Sequence, residues 1–216
     1  MKIYDMNPNI TKIRNSKLNK IIKDIIEVPL IPFEGAKERA CCKNVDDYIK
    51  QFGGEPVTGY LVFSLGYILI KLIGHVIVNK DGKLFCVTPP EVNHITKRGV
   101  VLFKPESFDY NDRLPAYTEA IVHDPVVELY ASYDNQFENI RRKIPTNSPG
   151  EINGGIPVPA EYEDELRSIL KGKAKITNQV RKKAFQSIDR NSPCVCVSGK
   201  KFKHCCEKQS RWTSGL

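Results

Sequence analysis

Four cysteines lie close together near the end of the 216-residue chain, in the pattern C-x-C-x8-C-C. Thiols at this spacing could form disulfides, a metal site or a redox device. A bridge between adjacent cysteines is strained, and thiols stay reduced in the cytoplasm. Four thiolates can instead surround one tetrahedral Zn²⁺, and a shell with no open position is structural rather than catalytic. The spacing therefore favours a structural zinc site with the ligands Cys194, Cys196, Cys205 and Cys206.

The stretch CVCVSGKKFKHCC, residues 194–206, resembles the SEC-C motif, which is the zinc-binding tail of the SecA translocation ATPase and of many small bacterial proteins. Both the ligand spacing and the intervening residues SGKKFK agree with the motif, whereas Val195 and Val197 replace its usual Pro and Gly. In SecA the motif docks on the chaperone SecB and on the ribosome, so the resemblance implies an adaptor that folds around one Zn²⁺. His204 could replace a cysteine as a ligand, but four thiols already complete the shell.

Basic residues are concentrated in the same part of the chain. Residues 167–211 contain thirteen Lys or Arg and two acidic residues, while the rest of the chain carries a net charge of −3. Such a tail is attracted to phosphate backbones or acidic protein surfaces, although a solvated helix face would have the same composition. We expect an acidic partner, either the ribosome, RNA or another nucleic acid, or a chaperone-like protein. The expected partner-binding residues are Lys200, Lys201, Lys203, Lys208 and Arg211.

A second group of residues could act as a nucleophile with its base. Cys41 and Cys42 fall in a predicted helix, and His75 and Cys86 fall on predicted strands. A cysteine on a helix and a histidine on a sheet are the layout of papain-like and transglutaminase-like enzymes, where the helix dipole lowers the thiol pKa and the imidazole takes its proton. Alternatively, the cysteines are small buried hydrophobic residues and His75 is a hydrogen-bonded core residue. These spacings match no common metal-ligand pattern.

This region also resembles a segment of small SEC-C proteins that carry C-x-x-N-V, then GG…GW, then H-A-V…DG…D-x-T-P. The layout of Cys41 and His75 gives the alternative to a non-enzymatic binding protein, which is a papain- or transglutaminase-like cysteine hydrolase or transferase that uses these two residues and is localised by the zinc tail. Cys86 stands where the family has Asp, and a thiol supports an imidazolium less well than a carboxylate does, so any triad is weakened. The matching positions are Cys41, Asn44, Gly53-Gly54, Gly59-Tyr60, His75, Asp81-Gly82 and Thr88-Pro89.

The elements that must position these residues follow from hydrophobic periodicity and turn signals. Helices are predicted over residues 10–26, 37–52 and 125–143, with Asp124 as the N-cap of the last rather than as an acid–base partner of His123. Strands are predicted over residues 57–63, 67–78, 84–88 and 99–104, and Asn79-Lys80-Asp81-Gly82 predicts a hairpin turn. Residues 144–159 contain four Pro and three Gly and predict a linker. A helix starts at Ala160, and a basic helix follows over residues 173–188.

The expected fold is α+β, with N-terminal helices packed on an antiparallel sheet of about four strands. The expected divisions are an α+β domain over residues 1–143, the linker, a basic helical arm over 160–190 and the zinc knuckle over 191–210. The chain begins without an apolar leader segment, and the apolar run 56–70 falls short of a membrane span. With 41% hydrophobic residues the chain can build a core without disulfides, and a cytoplasmic protein is expected.

Overall fold

An antiparallel sheet occupies the middle of the chain in the computed structural model, which describes residues 23–90, 99–111, 113–144, 158–194 and 199–208. Three helices and two short 3₁₀ turns accompany six strands within these ranges. The strands are β1 (Ile26–Pro29), β2 (Glu55–Leu65), β3 (Leu69–Lys80), β4 (Lys83–Phe85), β5 (Val100–Pro105) and β6 (Ala116–Ala120). The helices are α1 (Cys41–Phe52), α2 (Pro125–Lys143) and α3 (Ala160–Gln186), and the 3₁₀ turns are Phe202–His204 and Cys206–Lys208.

The strand order is β1-β5-β2-β3-β4, with β6 pairing the other end of β3, and all the strand pairs are antiparallel. The long pair β2–β3 runs from Glu55 opposite Asn79 to Leu65 opposite Leu69. Asp81 and Gly82 both have positive φ, as a type I′ turn requires. The α+β prediction is therefore confirmed, and so is the hairpin.

Several element predictions need correction. The sheet has six strands in the described ranges rather than four, because β1 and β6 were missed. β1 starts at Ile26, so the helix predicted up to that residue is wrong at its end, and residues 10–22 of that helix lie outside the described ranges. The second helix starts at Cys41 rather than at residue 37. The two helices predicted after Ala160 are one continuous helix, because Gly172 does not interrupt it.

The hydrophobic core lies on both faces of the sheet. One cluster joins four strands through Val28, Phe63, Ile77 and Phe103, and Cys86 lies within it. A second cluster packs the first turns of α1 against the C-terminal half of β3 and includes both Cys41 and Cys42. Cys41 and Cys42 are thus part of the core between α1 and the sheet, and Cys86 is part of the cluster that joins the strands.

Helix α3 packs against α2 and against the turn between β2 and β3. Val180 and Ala184 share a buried cluster with Leu65 of the sheet. A Cβ at Gly66 would collide with the carbonyl oxygen of Ala184, and the positive φ of Gly66 also favours glycine. The backbone N–H of Tyr67 donates to the hydroxyl oxygen of Ser187 at 2.8 Å. The C-terminal end of α3 is therefore held by the hairpin turn of the sheet.

A buried carboxylate, that of Asp134 on α2, joins four elements. It accepts hydrogen bonds from Thr118 Oγ1 of β6 at 2.9 Å, from Lys71 Nζ of β3 at 3.2 Å and from Lys173 of α3. Burial alone would raise the pKa of Asp134, but the charges of the two lysines outweigh it and lower that pKa. Asp134 is only 2% exposed, and its negative charge is thus compensated by partners from the sheet and from α3.

Asp124 caps α2, as the sequence predicted. Its carboxylate accepts from the backbone N–H of Val126 at 3.0 Å and of Val127 at 3.2 Å, and Pro125 is the first helical residue. His123 is exposed and pairs with Glu128. In the part of the chain that the structure describes, no helix is long and apolar enough to cross a membrane.

Candidate metal centre and thiol site

The knuckle, residues 190–208, begins four positions after α3 ends. Its two cysteine-bearing ends are held by backbone pairing, in which Cys194 N–H donates to the carbonyl of Lys200 at 2.8 Å and Phe202 N–H donates to that of Ser192 at 2.8 Å. Gly199 lies in the loop between these ends with a φ of 77°, which a residue with a side chain adopts only with strain.

The knuckle has its own small hydrophobic core. Phe202, 1% exposed, packs with Ile188, Cys194 and Cys206. Phe185 from the last turn of α3 meets the Phe202 ring edge-on, with ring centroids 4.9 Å apart. The knuckle is therefore continuous with the end of α3. This apolar contribution was missed at the sequence level, although Phe185 and Ile188 lie only nine and six positions before Cys194.

Three of the four predicted ligands converge. The sulfurs of Cys194, Cys205 and Cys206 all lie within 4.8 Å of one another. A tetrahedral zinc thiolate site, with Zn–S distances of about 2.3 Å, needs sulfurs about 3.8 Å apart, so these residues fit and could hold a metal ion. The fourth predicted ligand, Cys196, lies outside the described residues. His204 is exposed and does not belong to the group.

The family model described as the SEC-C motif matches residues 190–208, which are the same residues that build the knuckle. The chain carries a SEC-C motif. It is similar to the protein translocase subunit SecA of Chloroflexus aggregans, with 32% identity over 110 residues, covering 44% of this chain and 10% of that protein. The SecA of Variovorax paradoxus is 36% identical over 83 residues, covering 38% and 9%. The chain thus spans about a tenth of the length of these curated relatives. No solved structure matches the chain.

The predicted partner-binding lysines lie on the surface of the knuckle. Lys200, Lys201 and Lys208 are exposed and Lys203 is half-buried, whereas Arg211 lies outside the described residues. The Nε of Arg190 donates to Glu207 at 2.6 Å and so neutralises the acidic side chain within this segment.

The second candidate site brings three predicted residues together. Cys41 is the first residue of α1, His75 lies in the middle of β3, and Cys86 follows β4. The His75 ring interacts with the thiols of both Cys41 and Cys86, and its Nε2 lies 3.2 Å from Cys86 Sγ. Cys86 Sγ–H in turn faces the carbonyl oxygen of Thr88 at 3.7 Å. All three side chains are buried, with exposed fractions of 5%, 7% and 1% in chain order.

Asn44, another position of the predicted motif, fixes the start of α1. Its side-chain amide donates to the carbonyl of Lys37 at 2.7 Å and to Thr88 Oγ1 at 3.1 Å, and its oxygen accepts from Lys37 N–H at 2.9 Å. It therefore joins the segment before the helix to the segment that carries Cys86. Five positions of the predicted motif, Cys41, Asn44, His75, Cys86 and Thr88, thus converge at one place.

The electrostatics of this site favour a thiolate at Cys41. A hydrogen bond from Cys42 and the charge of His75 outweigh burial and hold the pKa of Cys41 well below its ordinary value. The same contact with Cys41, together with burial, raises the pKa of Cys42. Burial alone would lower the pKa of His75, but the sulfurs of Cys86 and Cys41 raise it to about 10. The two shifts together favour a thiolate at Cys41 beside an imidazolium at His75.

The ligand atoms of these residues do not form a second metal group. Within the described ranges, the one group of three or more His, Cys, Asp or Glu residues whose ligand atoms lie close together is that of the knuckle cysteines. No disulfide joins the six described cysteines.

Proposed function

We propose that the protein is a cytoplasmic zinc-binding adaptor whose SEC-C knuckle docks on an acidic partner, which is either the ribosome or RNA, or a protein. The observation that carries the proposal is the convergence of three sulfurs in a SEC-C segment whose surface is basic. Zn²⁺ is the ion that tetrahedral thiolate sites of this kind hold, and a closed shell supplies folding energy rather than catalysis.

The arrangement of the knuckle supports docking rather than chemistry. Its apolar side chains and its sulfurs face inward, while Lys200, Lys201 and Lys208 face outward. Cationic groups on a rigid support attract an acidic surface without ordering a long flexible segment first. The SecA relatives are protein translocase subunits by name. The proposal includes a role in protein translocation for this chain as well.

Affinity capture tests the adaptor proposal. The tagged full chain is compared with Cys194→Ser, which loses a ligand, and with Cys42→Ser, which alters a buried thiol outside the knuckle. We expect a set of captured macromolecules that is lost with Cys194→Ser and retained with Cys42→Ser. Treatment of the extract with ribonuclease then separates RNA-dependent capture from direct protein contact. Identical capture by all three chains would refute docking through the knuckle.

A second candidate function rests on the contact between Cys41 and His75. We propose that Cys41 is a nucleophile, that His75 takes and holds its proton, and that Cys86 orients the ring from Nε2, as in a cysteine hydrolase or transferase. The lowered pKa of Cys41 and the raised pKa of His75 support this role. The position of Cys41 at the first residue of α1 adds the favourable end of the helix dipole.

Alkylation by iodoacetamide tests the second candidate. Between pH 8.5 and pH 6.5 the thiolate fraction of an ordinary cysteine falls about 50-fold, and its alkylation rate falls with it. Because the folded pKa of Cys41 is lowered, we expect its rate, measured by mass spectrometry of its own peptide, to change far less over this range. His75→Gln should restore the steep dependence. The nucleophile role would be contradicted if Cys41 did not react in the folded chain, or if the pH dependence of its alkylation were the same in the wild type and in His75→Gln.

A further inference from the structure

The charges of α3 are divided along its length. Acidic residues occupy its first two turns, and Arg167 pairs there with Glu163 and Asp164. From Lys171 to Gln186 the helix contains no acidic residue. The C-terminal part of α3, which leads into the knuckle, is therefore cationic over four turns.

The lysines on the inner side of this part are already neutralised. Lys173 pairs with the buried carboxylate of Asp134 on α2. Lys183 Nζ lies 2.5 Å from the carboxylate of Asp124, the N-cap of the same helix. These two cations hold α3 against α2, so they are not available to a partner.

Three lysines on the outer side have no such role. Lys171, Lys175 and Lys182, which we call the outer lysines, are exposed, and no carboxylate in the described ranges pairs with them. Their spacing of four and seven residues places them on one helix face, opposite the buried Ile169 and Val180. With a rise of about 1.5 Å per residue, the row extends over about 16 Å.

The other exposed residues of this face indicate the kind of partner. They are Ala174, Asn178, Gln179 and Gln186, so the face has amide groups but no large apolar side chain between Lys171 and Gln186. The centre of a protein interface is enriched in aromatic residues and depleted in lysine. Lys, Asn and Gln are instead the residues that contact phosphates and sugars. The composition favours a nucleic acid over an acidic protein.

We propose that the outer lysines of α3 bind the sugar-phosphate backbone of a nucleic acid. This inference deepens the proposed docking function and rests on it for the acidic nature of the partner. It places the contact on a helix face that α2 and the sheet hold in place, and that face needs no metal to form. The knuckle then adds its own lysines at the end of the same helix.

The test compares two triple variants of the full, metal-loaded chain. Lys171→Gln/Lys175→Gln/Lys182→Gln removes the outer lysines. The matched control, Lys23→Gln/Lys50→Gln/Lys83→Gln, removes the same charge from exposed lysines elsewhere. The probes are a fluorescein-labelled 20-nucleotide oligouridylate, a 20-base-pair RNA duplex and poly-glutamate, followed by anisotropy between 50 and 300 mM NaCl. Circular dichroism confirms that both variants are folded.

We expect the outer-lysine variant to bind at least one of the RNA probes about tenfold or more weakly than the control at 100 mM salt. The slope of log K against log salt should fall by about 2 to 3, because each lost phosphate contact removes about 0.7 to 0.9. Cys194→Ser disrupts only the knuckle, so its slope of log K against log salt should still include the contribution of the outer lysines.

Two results would overturn the inference. Equal RNA binding by the outer-lysine variant and the control would show that the row is a solvated helix face. Tighter binding of poly-glutamate than of either RNA, with the same loss in the outer-lysine variant, would assign the face to an acidic protein. In both cases docking through the knuckle would stand or fall separately on the Cys194→Ser capture experiment.

Discussion

The molecule contains two groups of cysteines that differ in what surrounds the sulfurs. In the knuckle, the sulfurs of Cys194, Cys205 and Cys206 face one another within 4.8 Å. In the domain, Cys41 and Cys86 face an imidazole, that of His75. Sulfurs that face one another suit a shared cation, which removes their mutual repulsion. Sulfurs that contact an imidazole can instead exchange a proton with the ring.

The difference also lies in the supporting structure. The knuckle sulfurs are held by a short backbone pairing and a core of few residues, so a metal ion must contribute much of their order. The domain thiols are held by a helix, a long strand and the side chain of Asn44, and their arrangement needs no ion. Burial alone therefore does not distinguish a metal-ligating cysteine from a candidate nucleophile, whereas the neighbouring side chains do.

The largest expected effect separates the two groups outright. Cys206→Ser should abolish metal binding, since structural Zn²⁺ sites contribute apparent free energies of about 10–16 kcal/mol to small domains. Elemental analysis of thiol-reduced protein should show one zinc, or iron, per wild-type chain and none in the variant. Limited proteolysis should then cut within residues 190–208, while the pH profile of Cys41 alkylation stays unchanged. A metal-free wild-type chain, or a profile that moves with the knuckle, would remove the distinction.

A smaller effect is expected at Asp134, which joins the sheet to the helix that leads into the knuckle. Asp134→Asn leaves Lys71 and Lys173 without their shared carboxylate and should lower the free energy of unfolding by about 3 kcal/mol, measured by urea denaturation. The folded pKa of Asp134 is lowered, so its stabilisation is present above pH ~4 and is lost as the pH falls through that folded value. On acidification, the free energy of unfolding of the wild type should fall by this contribution, whereas that of Asp134→Asn, which lacks the carboxylate, should not.

The metal content supplies the control for that variant. Because the knuckle has its own core around Phe202, Asp134→Asn should still bind one metal ion at pH 7. Loss of the metal together with the stability would show that the two groups of cysteines depend on the same packing.

The smallest effect is expected at Cys86. Cys86→Asp places a carboxylate beside His75, which stabilises the imidazolium and should raise the pKa of His75 further, by about one unit. NMR of the imidazole ring should therefore show that His75 loses its proton at a higher pH in this variant, whereas Cys86→Ser, a control of similar size without the charge, should not move the titration upward. The same His75 titration in both variants would mean that Cys86 only fills space.

Much of the fold and of the metal centre could be predicted from the sequence. Long apolar runs with turn signals identify β2 and β3, and Asp124-Pro125 identifies the start of α2, because these signals are local. β1 and β6 could not be identified, since each has four or five residues and is defined by the strand it pairs with. The cysteine spacing predicted four metal ligands, and the three of them that lie in the described ranges converge, whereas the role of Phe185 in the knuckle depends on where α3 ends.

The thiol site was predicted in part. Cys41 and His75 came from a motif resemblance, and the structure places them in contact. The roles of those residues remain predictions. The place of Cys86 beside the His75 ring followed from the same resemblance, in which Cys86 stands where the family has Asp. The spacing alone does not show this contact, because it depends on how the segment after β4 returns beside β1.

The contact between the β2–β3 turn and the end of α3 has a thermodynamic consequence for docking. Tyr67 N–H donates to the hydroxyl oxygen of Ser187, and the backbone of Gly66 lies so close to Ala184 that a side chain at position 66 would collide with it. Ordering the backbone of a free tail costs about 1 to 2 kcal/mol per residue when the tail binds. Here that entropy is lost during folding, before any partner arrives. The knuckle is thus preorganised, and a partner that needs several orientations of it would bind this chain less well than a partner that needs one.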